Sequence, residues 1–153
     1  MLKIATVWLL VGVAVFLGFQ TFEARQQQAR VSLTGAAIEL RRSADGHFHW
    51  PGEVNGLRVD FLVDTGATAT ALPGALAERA GLELQAGVIS STAAGAVRGH
   101  LARADIVLAG GVHSERLQVT VLPGLGAPLL GMDVLGRLRF TQEAGVLRIS
   151  APN

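Results

Sequence analysis

Carboxylates and imidazoles are the side chains of this 153-residue chain best able to do chemistry, because it contains no cysteine. That absence removes disulfides, thiolate metal sites and cysteine nucleophiles together. Of the five aspartates, at 45, 60, 64, 105 and 133, Asp64 stands apart in the string Phe61-Leu-Val-Asp-Thr-Gly-Ala67. Asp-Thr-Gly by itself is a weak signal, since Asp-x-Gly often marks a plain turn. Its context is stronger: Phe61-Leu62-Val63 reads as a buried strand that delivers the carboxylate directly into a turn. A carboxyl at the end of an apolar strand meets low-dielectric walls rather than open water, the setting in which acid/base groups are tuned. The Thr65 hydroxyl could bond nearby backbone, and Gly66 would let another backbone approach closely.

The histidines offer less. His47 and His49 share one face of a strand and could form a metal site with Glu53, but paired surface histidines are more often solvated, and no third ligand is evident. His100 and His113 stand alone, and without a Gly-x-Ser-x-Gly elbow a serine nucleophile finds no support. Gly124-Leu-Gly126 lacks the lysine of a phosphate loop and reads as a loop. No metal and no cofactor is expected.

The elements that must position Asp64 follow from turn signals. Asp45-Gly46 and Asn55-Gly56 suit hairpin turns because both central residues tolerate positive φ. The second joins a strand near 47–54 to one at 57–63. A strand is expected over 67–72, ended by Pro73-Gly74, and the clearest helix of the soluble part over 75–81, stopped by Gly81. Strands follow near 88–92, 97–107 and 112–121, the last two joined by Gly110-Gly111. A short helix over 132–138 and a strand over 146–149 complete a mainly β, barrel-like domain with one or two short helices. A net charge of +1 with scattered arginines gives no case for a nucleic-acid partner. Trp50, before Pro51, is expected in the core or at a strand end.

The first 22 residues differ from the rest. Residues 4–19 are apolar almost throughout, and extension to Phe22 approaches the ~20 residues a helix needs to cross a bilayer. Trp8, Phe16, Phe19 and Phe22 suit a membrane segment with interfacial aromatics. A cleaved signal peptide is the rival reading, but Phe22-Glu23-Ala24 places a bulky residue where a small one is wanted. The expected division is a transmembrane signal anchor at 1–22, touching the lipid bilayer through 4–22, a polar tether at 23–35 and a folded domain at 36–153. Lys3 favours an inside N-terminus, whereas Arg25 and Arg30 count against it.

A second motif joins the first. Pro128-Leu-Leu-Gly-Met132 is an apolar run with a glycine, followed by Asp133, which could cap a helix. Phe61-Leu-Val-Asp-Thr-Gly-Ala-Thr68 together with Leu129-Leu-Gly-Met-Asp-Val-Leu135 resembles the single-domain, retropepsin-like aspartic proteases of bacteria. The order of parts agrees over about residues 38–150: a Gly-His-Phe strand, the Asn-Gly hairpin, Asp-Thr-Gly-Ala, a helix, a glycine-containing hairpin and the Leu-Leu-Gly segment. The resemblance implies a retropepsin-like acid-protease barrel, with Asp64 as catalytic aspartate and Thr65, Gly66 and Ala67 supporting it. It implies a flap over substrate at Ser91, Thr92, Ala93, Ala94, Gly95, Ala96 and Val97. Family members tend to carry Thr-Ala-Asn-Gly there, and Ala94 stands in place of the asparagine.

Peptide hydrolysis by carboxylates needs one ionised group to activate water and one protonated group to polarise the carbonyl. Two close carboxylates meet that need because both cannot ionise at once, the behaviour for which aspartic proteases are the standard illustration. This chain has a single Asp-Thr-Gly, and none of its other aspartates lies in a matching segment. The implied assembly is therefore a C2 homodimer in which two Asp64 carboxylates share a proton and act on a protein or peptide substrate. The expected location is the bacterial inner membrane, single-pass, with the catalytic domain in the periplasm. The competing reading is a non-catalytic peptide-binding or dimerisation module of the same fold. A third is autoprocessing within the tether.

Overall fold

The computed structural model describes residues 8, 11–13, 15–16, 31–34, 37–92 and 95–150. Most of the expected membrane anchor and of the tether lies outside them. Residues 8, 11–13 and 15–16 are helical. Among the described residues no helix is long and apolar enough to cross a membrane.

Two sheets make up the described part of the domain. The smaller runs in the order β1 (Val31–Thr34), β2 (Ala37–Arg41), β11 (Val146–Ser150) and β10 (Arg139–Glu143), antiparallel throughout. β1 occupies residues expected in the tether, so the folded domain begins earlier than residue 36. The larger sheet contains β3 (His49–Val54), β4 (Leu57–Val63), β9 (Leu129–Leu130), β5 (Ala71–Pro73), β8 (Val112–Leu122), β7 (Gly95–Leu108) and β6 (Gly87–Thr92), in that order. An additional pairing of β3 with β7, Gly52 opposite Leu108, closes the larger sheet on itself, with β6 left as an outer strand on β7. The result is a mainly β barrel with two short helices in its described part, α1 (Gly74–Arg79) and α2 (Met132–Leu135).

Local chemistry explains the elements. Asn55 and Gly56 take φ of 49° and 80°, the left-handed pair that a two-residue hairpin between β3 and β4 demands. On β7, Ala102, Ala104, Ile106 and Leu108 point inward while Arg103, Asp105 and Val107 point outward, the period of two of a half-buried strand. The register of β7 on β8 shifts between Ala104 and Ile106, and Asp105 in that bulge accepts the Arg116 amide at 2.7 Å. α1 ends with the Gly81 amide on the Glu78 carbonyl at 3.0 Å and the Leu82 amide on the Ala77 carbonyl at 2.9 Å, a Schellman stop.

The core gathers where the two sheets meet. Trp50, Phe61, Leu72, Leu130 and Leu135 from the barrel join Leu40, Leu147 and Ile149 from the smaller sheet, all essentially buried. Trp50 is fully enclosed and still donates its indole N–H to the Ala109 carbonyl at 2.8 Å, so its polar atom is satisfied.

Two expected elements differ. The strand expected over 67–72 begins only at Ala71, because most of the preceding backbone bonds to α2, the Thr70 carbonyl alone already accepting the Thr120 amide of β8 at 3.0 Å. The Ala67 carbonyl accepts the Met132 amide at 2.8 Å, and the Thr70 amide donates to the Asp133 carboxylate at 2.9 Å. The helix expected over 132–138 closes at Leu135 and gives way to two tight turns, Arg137 amide to Val134 carbonyl and Leu138 amide to Leu135 carbonyl.

Candidate active site

Asp64 follows the last residue of β4. There β4 pairs in parallel with β9, Leu62 opposite Leu129 and Val63 opposite Leu130. Three backbone bonds fix the approach: the Leu62 amide to the Pro128 carbonyl at 2.8 Å, Val63 to Phe48 at 2.9 Å and Asp64 to Leu130 at 3.0 Å. The two motifs picked out in the sequence, Phe61–Ala67 and Pro128–Met132, therefore lie side by side, although more than sixty residues separate them in the chain.

The carboxylate is half-buried, while Thr65 and Gly66 beyond it are exposed. Asp64 Oδ1 accepts the Gly66 amide at 2.9 Å, and the Asp64 carbonyl accepts the Ala67 amide at 3.2 Å. The turn thus holds one carboxylate oxygen. A Cβ placed on Gly66 would sit 3.2 Å from that oxygen, which explains glycine here without appeal to an unusual φ. Among the described residues Thr65 finds no hydrogen-bond partner for its hydroxyl, so the local bond expected of it is not made.

The expected flap residues lie on the β6–β7 hairpin, with Ser90 opposite Val97, Ser91 opposite Ala96 and Thr92 opposite Gly95. Thr92 Oγ1 donates to the Gly95 carbonyl at 2.8 Å across the tip, and Gly95 takes φ of 110°. Ala93 and Ala94 lie outside the described residues. Ile89 on the same hairpin is 68% exposed, an apolar side chain of this segment that the sequence reading passed over.

The other aspartates are committed elsewhere. Asp45 accepts the His47 amide at 3.0 Å and meets His49 Nε2 at 2.7 Å, and these contacts hold its carboxyl below the usual carboxylate range. Asp60 lies 3.3 Å from His49 Nδ1. His49 is thus a half-buried residue set between two carboxylates rather than a solvated partner of His47. Among the described residues no group of three His, Asp or Glu side chains is arranged to hold a metal. Asp105 is bound in its bulge to Arg116.

Asp133 does not cap α2, a role taken by Gly131. Its carboxylate instead reaches Thr70, through Oδ2 to the amide at 2.9 Å and through Oδ1 to the hydroxyl at 2.8 Å. Thr70 is the buried polar residue of the described core. Sequence reasoning missed this pair. Its signal was a threonine within the alternating run Ala67-Thr-Ala-Thr-Ala-Leu72, which can be recognised only once its partner is known.

A cleft of about 470 Å³ lies against β3, β4 and β7, lined in part by Glu53, Arg58 and Val107, and Asp64 has no share in it. One half-buried carboxylate on a hydrogen-bonded turn can accept or donate a proton, but it lacks the second carboxyl that acid/base cleavage of an amide needs.

Residues 50–137 match the family described as "gag-polyprotein putative aspartyl protease". The crystal structure of a retropepsin-like aspartic protease from Rickettsia conorii is similar, with a TM-score of 0.60 and 25% identity, covering 79% of this chain and 95% of that one. EIAV protease, solved in complex with the inhibitor HBY-793, gives a TM-score of 0.51 at 20% identity over 61% of this chain and 89% of its own, a likeness of fold. No curated protein sequence matches.

Proposed function

The chain belongs to the aspartyl protease family matched over residues 50–137, and on that premise we propose that it is a homodimeric aspartic endopeptidase whose catalytic group is Asp64 of each subunit. The observation that carries the reading is the commitment of every other aspartate. The carboxylates of Asp45, Asp60, Asp105 and Asp133 are engaged with groups away from any Asp-Thr-Gly turn, whereas that of Asp64, half-buried on a turn clamped to β9, bonds among the described residues only the Gly66 amide of its own turn. The second carboxyl must come from a second copy. The exposed surface at Thr65 and Gly66, next to Asp64, is where that copy would dock.

In the dimer one Asp64 is ionised and the other protonated. The ionised carboxylate takes a proton from a water held between them as its oxygen bonds to the scissile carbonyl carbon. The protonated carboxyl meanwhile gives its proton to the carbonyl oxygen. Collapse of the tetrahedral diol breaks the C–N bond, the leaving nitrogen receives a proton, and the pair returns to its starting state. Thr65, Gly66 and Ala67 shape the turn, and residues 91–97 cover the bound peptide.

The membrane setting is part of the same proposal: an anchor through residues 4–22, a tether after it, and the catalytic domain on the periplasmic side of a bacterial inner membrane. The apolar run of residues 4–19 supports it.

The test is Asp64→Asn in the full chain, assayed on a denatured protein at mildly acidic pH. Cleavage should fall by roughly 10³-fold or more. Mixed with a tenfold excess of that variant, wild-type subunits should lose about tenfold of their activity, as expected by mass action for an obligate pair. Cleavage that persists in full with Asp64→Asn sinks the assignment, and wild-type activity indifferent to the excess sinks the shared site.

A further inference from the structure

The loop from Asp64 to Thr70 joins β4 to β5 and, beyond its internal turn bonds and the Thr70 carbonyl that accepts the Thr120 amide of β8 at 3.0 Å, is fastened to residues 130–133. The Asp64 amide bonds to the Leu130 carbonyl at 3.0 Å, and the Ala67 carbonyl accepts the Met132 amide at 2.8 Å. The Thr70 amide and hydroxyl both donate to Asp133, at 2.9 and 2.8 Å, while Thr70 Oγ1 accepts the Gly131 amide at 3.2 Å. The beginning, middle and end of the loop are therefore registered against residues 130–133. The last of these contacts is the one made by a charge. Asp133 also accepts the Val134 amide at 3.0 Å, which orients the carboxylate from its own helix.

We infer that Asp133, acting through Thr70, is a positioning residue for catalysis, setting where the Asp64 carboxylate stands relative to its counterpart in the dimer. The inference rests on the reading of Asp64 as the catalytic group. Its physical basis is the enclosure of Thr70, which is 0% exposed. A buried hydroxyl must keep its partners or pay for desolvation, so the Thr70–Asp133 contact, added to the backbone bond from Thr120 to the Thr70 carbonyl, sets the side-chain arrangement at this end of the loop. Two donors of one residue on two oxygens of one carboxylate also fix orientation, as a single bond would not. A shared-proton pair is sensitive to such placement, because its two carboxyls must stay within hydrogen-bond reach of each other and of one water.

Asp133→Asn is the informative change. An amide keeps the volume but offers one oxygen, so its NH₂ group must face either the Thr70 amide or the Thr70 hydroxyl, and against the amide it sets donor against donor. In the full chain, with a fluorogenic peptide derived from a mapped cleavage site in a denatured protein, kcat should fall roughly 10- to 100-fold while KM stays within about twofold. The assay is run well below the melting temperature of each variant, with sedimentation confirming the dimer. Thr70→Ser, which keeps the hydroxyl, should retain kcat, and Thr70→Val should lose it as Asp133→Asn does. If Asp133→Asn does not fold, the Thr70 pair decides alone: a serine variant active and a valine variant impaired supports the inference. Equal kcat in the two overturns it, as does a loss in Asp133→Asn no greater than its loss of folded dimer. Asp64→Asn is run alongside. Should that variant remain active, the reading of Asp64 fails first; should it be inactive while Asp133→Asn keeps parental kcat, only the positioning role fails.

Discussion

Gly131→Ala is the sharpest perturbation of the site that leaves every charge in place. Gly131 has φ of −94° and ψ of −178°, extended backbone open to any residue, so alanine would meet no conformational penalty of its own. The cost is steric. A Cβ at this position would lie 2.5 Å from the Ala69 carbonyl carbon, 2.7 Å from its oxygen and 2.9 Å from the Thr70 nitrogen. All three are backbone atoms, with no flexible side chain to swing aside. Ordinary contact begins near 3.4 Å, so the loop must retreat by about 0.9 Å from α2. Overpacking of this kind costs about 1–3 kcal/mol, and about 2 kcal/mol in a domain of this size lowers the melting temperature by roughly 5–10 °C. The same retreat strains the bonds from Thr70 to Gly131 and Asp133, at the far end of the loop that carries Asp64. A displacement near 1 Å at a reacting group can reduce turnover by about 10²-fold. The assay pairs thermal melting with kcat below the transition, and Gly126→Ala serves as the control, since nothing lies within 4 Å of the Cβ it would add. If Gly131→Ala melted within about 2 °C of the parent and turned over substrate undiminished, the close packing of the two motifs could not be what places Asp64.

Two further outcomes follow from the surroundings of the site. The folded carboxyl of Asp45 titrates below its ordinary range, first because the His47 amide bonds it and then because His49 does, so its contribution to stability is present above the unfolded value and is lost as the pH falls through the lowered one. Asp45→Asn should therefore melt below the parent near neutral pH, the gap closing as the pH drops below about 3.9 and onward; a gap that persists unchanged in strong acid refutes the pairing. Asn55 combines a φ of 49° with a side chain that donates to the Ala80 carbonyl at 3.2 Å and accepts the Asp105 amide at 2.9 Å. Asn55→Ala should cost about 1–3 kcal/mol in urea denaturation, with Asn55→Gly cheaper by about 1 kcal/mol because only the hydrogen bonds are lost; equal costs for both would remove the backbone part of the argument.

The fold was legible wherever one residue type carries a strong local constraint. Asn55-Gly56 and Gly110-Gly111 mark hairpins because few other pairs accept those dihedrals, and the alternation along 97–107 reports a half-buried strand directly. β1 and β10 were illegible for the opposite reason. Arg139–Glu143 holds a single large apolar residue, Phe140, and is a strand because β11 offers a ladder to pair with. β9 is two residues long and exists only because β4 and β5 flank it. No periodicity can announce an element of that length.

The candidate site divides along the same line. Asp64 could be read because an apolar strand running into Asp-Thr-Gly is a local pattern. Thr70 and Asp133 could not, since their importance lies in a contact across 63 positions of sequence. That division says something about how the site is held. The residue proposed to do the chemistry bonds mainly to its own turn and to backbone, as in the Gly66 amide on Oδ1 and the Leu130 carbonyl on its own amide. To that backbone frame the positioning role inferred for Asp133 adds a buried threonine and the carboxylate that receives it. A turn alone would leave Asp64 free to shift with every fluctuation of an exposed loop, and two such turns meeting at a dyad would compound the error. In the proposed dimer, fastening each loop to the segment after β9 would let the two subunits present their carboxylates in a fixed frame. On that proposal the preorganisation that a shared proton requires would be built into the single chain, with the second copy supplying the partner carboxylate.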